Sequence, residues 1–212
     1  AELEKQIAAA VEVINQLEND IEAAKAEYAK AAAAEAAAQA SINAIIAQMQ
    51  AEEEAARQEA ANNGQDYTGT GSTATGTYIW PCPSCTYVTS KFGMREHPLF
   101  GDERPHTGID IGAQAGAEVI AADSGTVAVA TYSSSYGNYV TIYHSNGDYT
   151  LYAHMSSLTV TAGQNVTQGD VIGYVGSTGW ASGPHLHFEI RVNGSTVDPT
   201  SYFSGLSYAP DA

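Results

Sequence analysis

No glycine precedes Gly64 and no proline precedes Pro81 in this chain of 212 residues. Those two residue types break helices, glycine through backbone entropy and proline through its missing N–H. Nothing in residues 1–61 therefore stops a helix, and 23 alanines there supply the best helix former. Leu3, Ile7, Ala10, Ile14, Leu17, Ile21, Ala24, Tyr28, Ala31, Glu35, Ala38, Ile42, Ile45 and Met49 alternate in steps of four and three. That spacing is a heptad seam through about seven heptads. It predicts one continuous coiled-coil helix over 1–61, about 90 Å long at 1.5 Å per residue. Such a stripe needs something to bury it. The seam is weak in its centre, where alanine is small and Glu35 is charged. Two readings of the helix stay open. One is a spacer stalk paired with a second helix through residues 3–49. The other is a docking or autoinhibitory arm.

Residues 62–78 are dominated by Gly, Ser and Thr without a hydrophobic period, which predicts a flexible linker. From 79 to 212 the chain reads as mainly β, an antiparallel sheet of short Val, Ile, Tyr and Thr runs cut by Gly, Asn and Asp. The clearest strands are 117–122, 125–132, 139–145, 148–154, 171–175 and 186–192. Asn146-Gly147 predicts a two-residue hairpin turn.

The 8 Lys and Arg against 24 Asp and Glu give a formal charge of −16. A chain so acidic lacks the basic footprint of a nucleic-acid or anionic-membrane binder. No apolar run is long enough for a transmembrane helix. The chain opens Ala1-Glu2-Leu3 with neither an initiator methionine nor a basic start, as a processed or trimmed product does. Cys82-Pro83-Ser84-Cys85 has redox-motif spacing but no βαβ context, so a structural disulfide is the expectation. Asn165 and Asn193 fit the glycosylation pattern and read as turn residues.

All six histidines fall in the β region. In His185-Leu186-His187-Phe188-Glu189-Ile190-Arg191-Val192 the alternation is strict. Leu186, Phe188, Ile190 and Val192 take the core face, and His185, His187, Glu189 and Arg191 the other. With a two-residue turn at 146–147, Ile142 opposes Leu151, Thr141 opposes Tyr152, and Tyr139 opposes His154. His154 then shares a face with Tyr139, Thr141 and Tyr152. His144 falls on the opposite face, as a structural or solvated residue, and His97 reads as a structural loop histidine. His106-Thr107-Gly108-Ile109-Asp110 is a loop entering a strand, since Gly108 argues against a helix. A His pair on one strand, with a His and an Asp from a second segment, matches a catalytic zinc site: three protein ligands, with groups left over for acid–base work. Glu189 either orients a ligand imidazole or pairs with Arg191 at the surface.

Three segments, His106-Thr107-Gly108-Ile109-Asp110-Ile111, Tyr152-Ala153-His154-Met155 and Gly183-Pro184-His185-Leu186-His187-Phe188-Glu189, occur in the order found in the lysostaphin-like, LytM-domain zinc peptidases, which this chain resembles over roughly 80–203. The segments 89–95 and Gly169-Asp170-Val171-Ile172-Gly173 are similar too. The resemblance implies a β-sheet groove with zinc bound by His106, Asp110 and His187, and with His154 and His185 as catalytic groups beside it. It implies hydrolysis of peptide bonds in the stem or cross-bridge of bacterial peptidoglycan, outside the cell or at its wall. Tyr139, Tyr152 and Tyr143 are candidates to line the groove. Some relatives with upstream coiled coils have lost their ligands and activate cell-wall amidases, which is the alternative function. A biotinyl-type carrier lacks its hairpin lysine here. A purely adhesive stalk leaves the histidines unexplained.

Overall fold

The computed structural model describes residues 2–67, 73–96 and 103–210. Helix α1 (Glu2–Asn62) is unbroken, as the absence of glycine and proline predicts. No helix among the described residues is long and apolar enough to cross a membrane. The strands are β1 (Tyr87–Ser90), β2 (Gly93–Glu96), β3 (Glu103–His106), β4 (Ile109–Ile111), β5 (Glu118–Ile120), β6 (Gly125–Ser133), β7 (Gly137–Tyr143), β8 (Tyr149–Leu158), β9 (Asn165–Val166), β10 (Val171–Val175), β11 (Leu186–Val192), β12 (Ser195–Val197) and β13 (Ser207–Tyr208). Strands β2 and β3 form a separate hairpin. The others make one sheet in the order β13-β1-β4-β11-β8-β7-β6-β9, with β12 on β11 and β10 bridging β5 and β8.

The sheet has two buried faces. Ile109, Ile111, Ile142, Tyr152, Phe188 and Ile190 fill the main core on one face. On the other, Tyr139, Tyr143, Tyr149, Leu151 and Ala153 pack against Ile42 and Ile46 of α1. The helix thus spends the second half of its length on the chain's own sheet, and its buried positions are Ile42, from the predicted seam, and Ile46, which replaces the exposed seam residue Ile45. Leu3, Ile7, Ile14, Leu17 and Ile21 stay exposed. Four polar contacts fix the docking. Tyr149 Oη donates to Asn43 Oδ1 at 2.9 Å, and Tyr143 Oη to Glu53 Oε2 at 3.0 Å. Gln39 Nε2 reaches Tyr149 Oη and Gln50 Nε2 reaches the Gly147 carbonyl, each at 3.3 Å.

The hairpin between β7 and β8 corrects the predicted register. His144 N–H donates to Asp148 O, so the loop is Ser145–Gly147, three residues with Gly147 at φ 91°. Three-residue hairpins use such a left-handed glycine. Thr141 therefore opposes Leu151, and Val140 opposes Tyr152. Tyr152 sits in the main core, its hydroxyl accepting from Ala122 N–H at 2.8 Å, and does not line the histidine face. Leu151 takes the helix-covered face instead. Past Tyr152 the pairing resumes one residue later, Asn138 with Met155. Ala153 and His154 together oppose Tyr139: a β-bulge, with His154 at φ 63°.

The linker ends in order. Thr75 and Gly76 donate their backbone N–H to the two carboxylate oxygens of Asp123, at 2.9 and 3.0 Å, and Tyr78 is buried in the core. Cys82 and Cys85 are free thiols and not the expected disulfide. The Cys85 thiol donates to Gly112 O at 2.7 Å.

His144 is structural, as predicted. It is fully buried, with Nδ1–H donating to Ser124 O at 2.9 Å and Nε2 3.0 Å from Thr150 Oγ1. Burial lowers its pKa below the usual 6.5. The unfolded chain then binds a proton more readily than the folded one, so this stability is present above pH 6.5 and declines as pH falls below it. His144→Ala should cost about 2–4 kcal/mol in urea unfolding near neutrality, by a cavity and two lost hydrogen bonds. The cost should shrink between pH 6.5 and 5. An unchanged midpoint at both pH values would contradict this account.

Candidate metal centre

Strand β11 lies between β4 and β8, and its alternation is the predicted one. His187 pairs directly with Asp110 across the β4–β11 ladder, so both side chains leave the sheet on one face. The connector from β3 to β4 crosses close above β11. A Cβ on Gly108 would lie 2.3 Å from the Phe188 carbonyl oxygen, so only glycine lets His106 come this near.

Three atoms meet there. His106 Nε2, Asp110 Oδ1 and His187 Nδ1 are 2.9 to 3.2 Å apart. Ligand atoms about 2.0–2.1 Å from a tetrahedral zinc stand about 3.3 Å from one another. The triangle is one face of such a tetrahedron, drawn in by a few tenths of an ångström. Among the described residues this is the one group of three or more His, Cys, Asp or Glu side chains so gathered. The remaining ring nitrogens are committed outward. His106 Nδ1–H donates to Lys91 O at 2.8 Å, and His187 Nε2–H to Glu189 Oε1 at 3.1 Å. Each ring thus has its inward nitrogen available for a cation, the tautomer a metal-bound imidazole needs. Nitrogen and carboxylate oxygen donors suit zinc.

Glu189 is a buried carboxylate with a full set of partners. Oε1 also accepts from Thr107 Oγ1 at 2.6 Å, and Oε2 accepts from Arg191 Nε at 2.7 Å. Glu189 thus takes the orienting role, and its pair with Arg191 is buried and not the surface pair of the other reading. Burial opposes its charge, yet His187 and Arg191 outweigh it and hold the pKa down to about 2. Burial likewise opposes a charge on His187, and its bonds to Asp110 and Glu189 lift it to about 10. Burial acts against Asp110 too, but His106 and His187 keep it well below the carboxylate range. A proton on His187 Nδ1 therefore sits where a cation belongs, and metal binding releases it.

His154 and His185 flank the triangle, their ring centroids 4.7 Å apart. Each is anchored through Nδ1–H at 2.8 Å, His154 to Thr178 O and His185 to Gly183 O. Their Nε2 atoms are left for the site, and His185 Nε2 lies 3.7 Å from Asp110 Oδ1. Burial, then His187 and His185, lowers the His154 pKa to about 3. All five histidine and aspartate residues expected of the site are gathered. His97 lies outside the described residues. Thr107, Tyr136 and Thr178 carry no sequence signal of their own, and Glu35 had one only as a flaw in the seam. Tyr136 Oη approaches Glu189 Oε1 at 3.5 Å.

Glu189→Gln should weaken zinc binding about 10- to 100-fold in a calorimetric titration. His187→Ala should abolish it. Both variants should keep the far-ultraviolet spectrum of the parent, and equal affinity in Glu189→Gln would remove the orienting role.

The model of peptidase family M23 matches residues 104–199. Over 116 residues the chain is 48% identical to the DD-carboxypeptidase/endopeptidase Mpg of Neisseria meningitidis serogroup B, covering 55% of this chain and 27% of that protein. The chain spans about a quarter of the length of this relative. The crystal structure of a zinc-containing peptidase from Vibrio cholerae aligns with a TM-score of 0.56 at 34% identity, over 61% of this chain and 40% of that one. The catalytic domain of a mutant of the prophage-encoded M23 protein EnpA from Enterococcus faecalis aligns at 0.50 and 34%, over 61% and 97%. The span matched by the family model holds all five site residues, and the chain belongs to peptidase family M23.

Proposed function

We propose that this chain is a zinc endopeptidase that hydrolyses peptide bonds in the stem or cross-bridge of bacterial peptidoglycan. The observation that carries the reading is the triangle of His106, Asp110 and His187 with two further histidines beside it. His106 Nε2, Asp110 Oδ1 and His187 Nδ1 are the proposed ligands. Zinc held there lowers the pKa of a bound water towards neutrality and polarises a carbonyl. Burial keeps the His154 ring neutral, and with Nδ1–H committed to Thr178 O its Nε2 is the proposed acceptor for the water's proton. His185, on the Asp110 side, is the partner that donates to the oxygen developing charge, which it does from Nε2 only as the doubly protonated ring, since Nδ1–H is committed to Gly183 O. Glu189 and Arg191 keep the His187 ring in place throughout.

The name of the Neisseria relative supports a bond between two D-configured centres as the one cut. A peptidoglycan substrate puts the action at the cell wall or in the periplasm. The exposed seam from Leu3 to Ile21 suits a second helix, either a partner's or another copy's. The ligands and neighbouring histidines are all present, which disfavours the amidase-activator reading.

Purified peptidoglycans of several cross-link types, digested by the full chain and analysed by mass spectrometry, test the reading. Released peptides should end at a stem or bridge bond, vanish with chelator and return with zinc. His154→Ala and His185→Ala should each lower kcat about 10²- to 10⁴-fold while retaining one equivalent of zinc. Loss of zinc in either variant would make it a ligand and overturn the assignment.

A further inference from the structure

The face of the sheet that carries the histidines is also the face α1 covers. Tyr28 meets Trp180, ring centroids 4.5 Å apart, two residues from the Thr178 carbonyl that anchors His154. Further along, Glu35 and Gln39 line an open cavity of about 500 Å³ together with Thr107, Tyr136 and Arg191. Beyond it, Ile42 and Ile46 are buried on the tyrosine-rich strands, and Glu53 receives the Tyr143 hydroxyl. Contact thus extends from Tyr28 to Glu53, past the metal centre and on to the β7–β8 turn. At the metal centre the side chains of His106 and His187 are 7% exposed, and those of Asp110 and His185 14% and 15%.

Glu35 is the single charged residue in the seam. In a helix built only to pair with a helix, a carboxylate there is a defect. Here it is partly buried beside Thr107 and Arg191, within electrostatic reach of His187 and His106. Burial raises the pKa of this carboxyl above its usual value, and Glu189 adds to the rise, against the pull of His187, His106 and Arg191.

We propose that residues 28–53 of α1 are an intramolecular plug for the substrate groove, with Glu35 keying the helix to the metal end and Ile42 and Ile46 anchoring it on the tyrosine-rich face. The inference rests on the peptidase reading for the identity of what is excluded, a peptide strand. Release is a rigid swing of the helix. Gly64, at φ 66°, begins the connecting segment, and the backbone bonds from residues 75 and 76 to Asp123 keep the near end of the linker on the sheet.

The test uses the full chain loaded with cobalt(II), with alanyl-alanine hydroxamate as probe and the visible spectrum of the metal as readout. Hydrogen exchange over residues 28–53 and release of peptides from peptidoglycan by the zinc form are measured alongside. Ile42→Asp/Ile46→Asp sets two carboxylates against Tyr139 and Leu151 and frees the helix. Each lost anchor shifts the open fraction by on the order of tenfold or more. Exchange should quicken, and hydroxamate affinity and hydrolysis should each rise about tenfold or more. Should exposing the tyrosine face make that variant insoluble, Tyr28→Ala/Glu35→Ala changes only partly exposed residues and should shift the same readouts in the same direction by less. Faster exchange with unchanged hydroxamate affinity overturns the plug. Tighter hydroxamate binding without cleavage of any peptidoglycan leaves the plug standing and removes the peptidase reading.

Discussion

A single buried carboxylate ties the site to the fold. Glu189 is fully buried, and its two oxygens take hydrogen bonds from His187, Thr107 and Arg191. An ionised group in such a place is tolerated only when paired and hydrogen-bonded. Each partner serves a different part of the molecule. Through His187 the carboxylate turns a ring towards the metal position. Through Thr107 it holds the connector that delivers both His106 and Asp110. Through Arg191 it reaches the rim of the cavity under the helix. Removing the carboxylate leaves a buried guanidinium, a hydroxyl and an imidazole without their acceptor, so the centre and the crossing of the β3–β4 connector over β11 loosen together.

One strand therefore does two jobs at a two-residue period. The odd positions His187, Glu189 and Arg191 build the site, and Leu186, Phe188 and Ile190 build the core beneath it. Rigidity is the gain. Every site residue on β11 is flanked by two residues locked in close packing, and a metal site requires ligands held to a few tenths of an ångström. The same economy explains why the sheet has no solvent face here. On the tyrosine-rich strands α1 supplies the cover that a second sheet supplies in a β-sandwich.

Much of this was legible in the residues. The helix follows from missing glycine and proline, and the face of β11 follows from alternation, because both depend on local sterics. The hairpin was less legible. Asn146-Gly147 suggests a two-residue turn, but the loop takes three residues, which moves Tyr152 into the core and Leu151 out of it. His154 still lands on the site face, because the bulge at Ala153–His154 adds the residue back. Neither event has a local signature: the turn length is settled by packing across two strands and the bulge by the pull of Thr178 on one ring. The helix partner was illegible for a similar reason. A heptad seam reports a need for cover, and the tyrosines that meet it lie about a hundred residues further along the chain. Glu35 was visible only as an irregularity until the cavity gave it neighbours.

The paired offsets in the β7–β8 hairpin have a consequence for how this protein can drift. Between the turn and the bulge lie only Tyr149 to Tyr152, four residues whose inward and outward assignments are reversed relative to a two-residue turn. A slip of the closing pair by one residue would exchange Tyr152 with Leu151, sending a buried hydroxyl to the helix face and an aliphatic chain to the Ala122 N–H it cannot satisfy. Straightening the bulge without removing a residue would turn His154 away from the site. The hairpin therefore tolerates changes of loop length that keep His144 paired with Asp148, and resists any change that moves that pair.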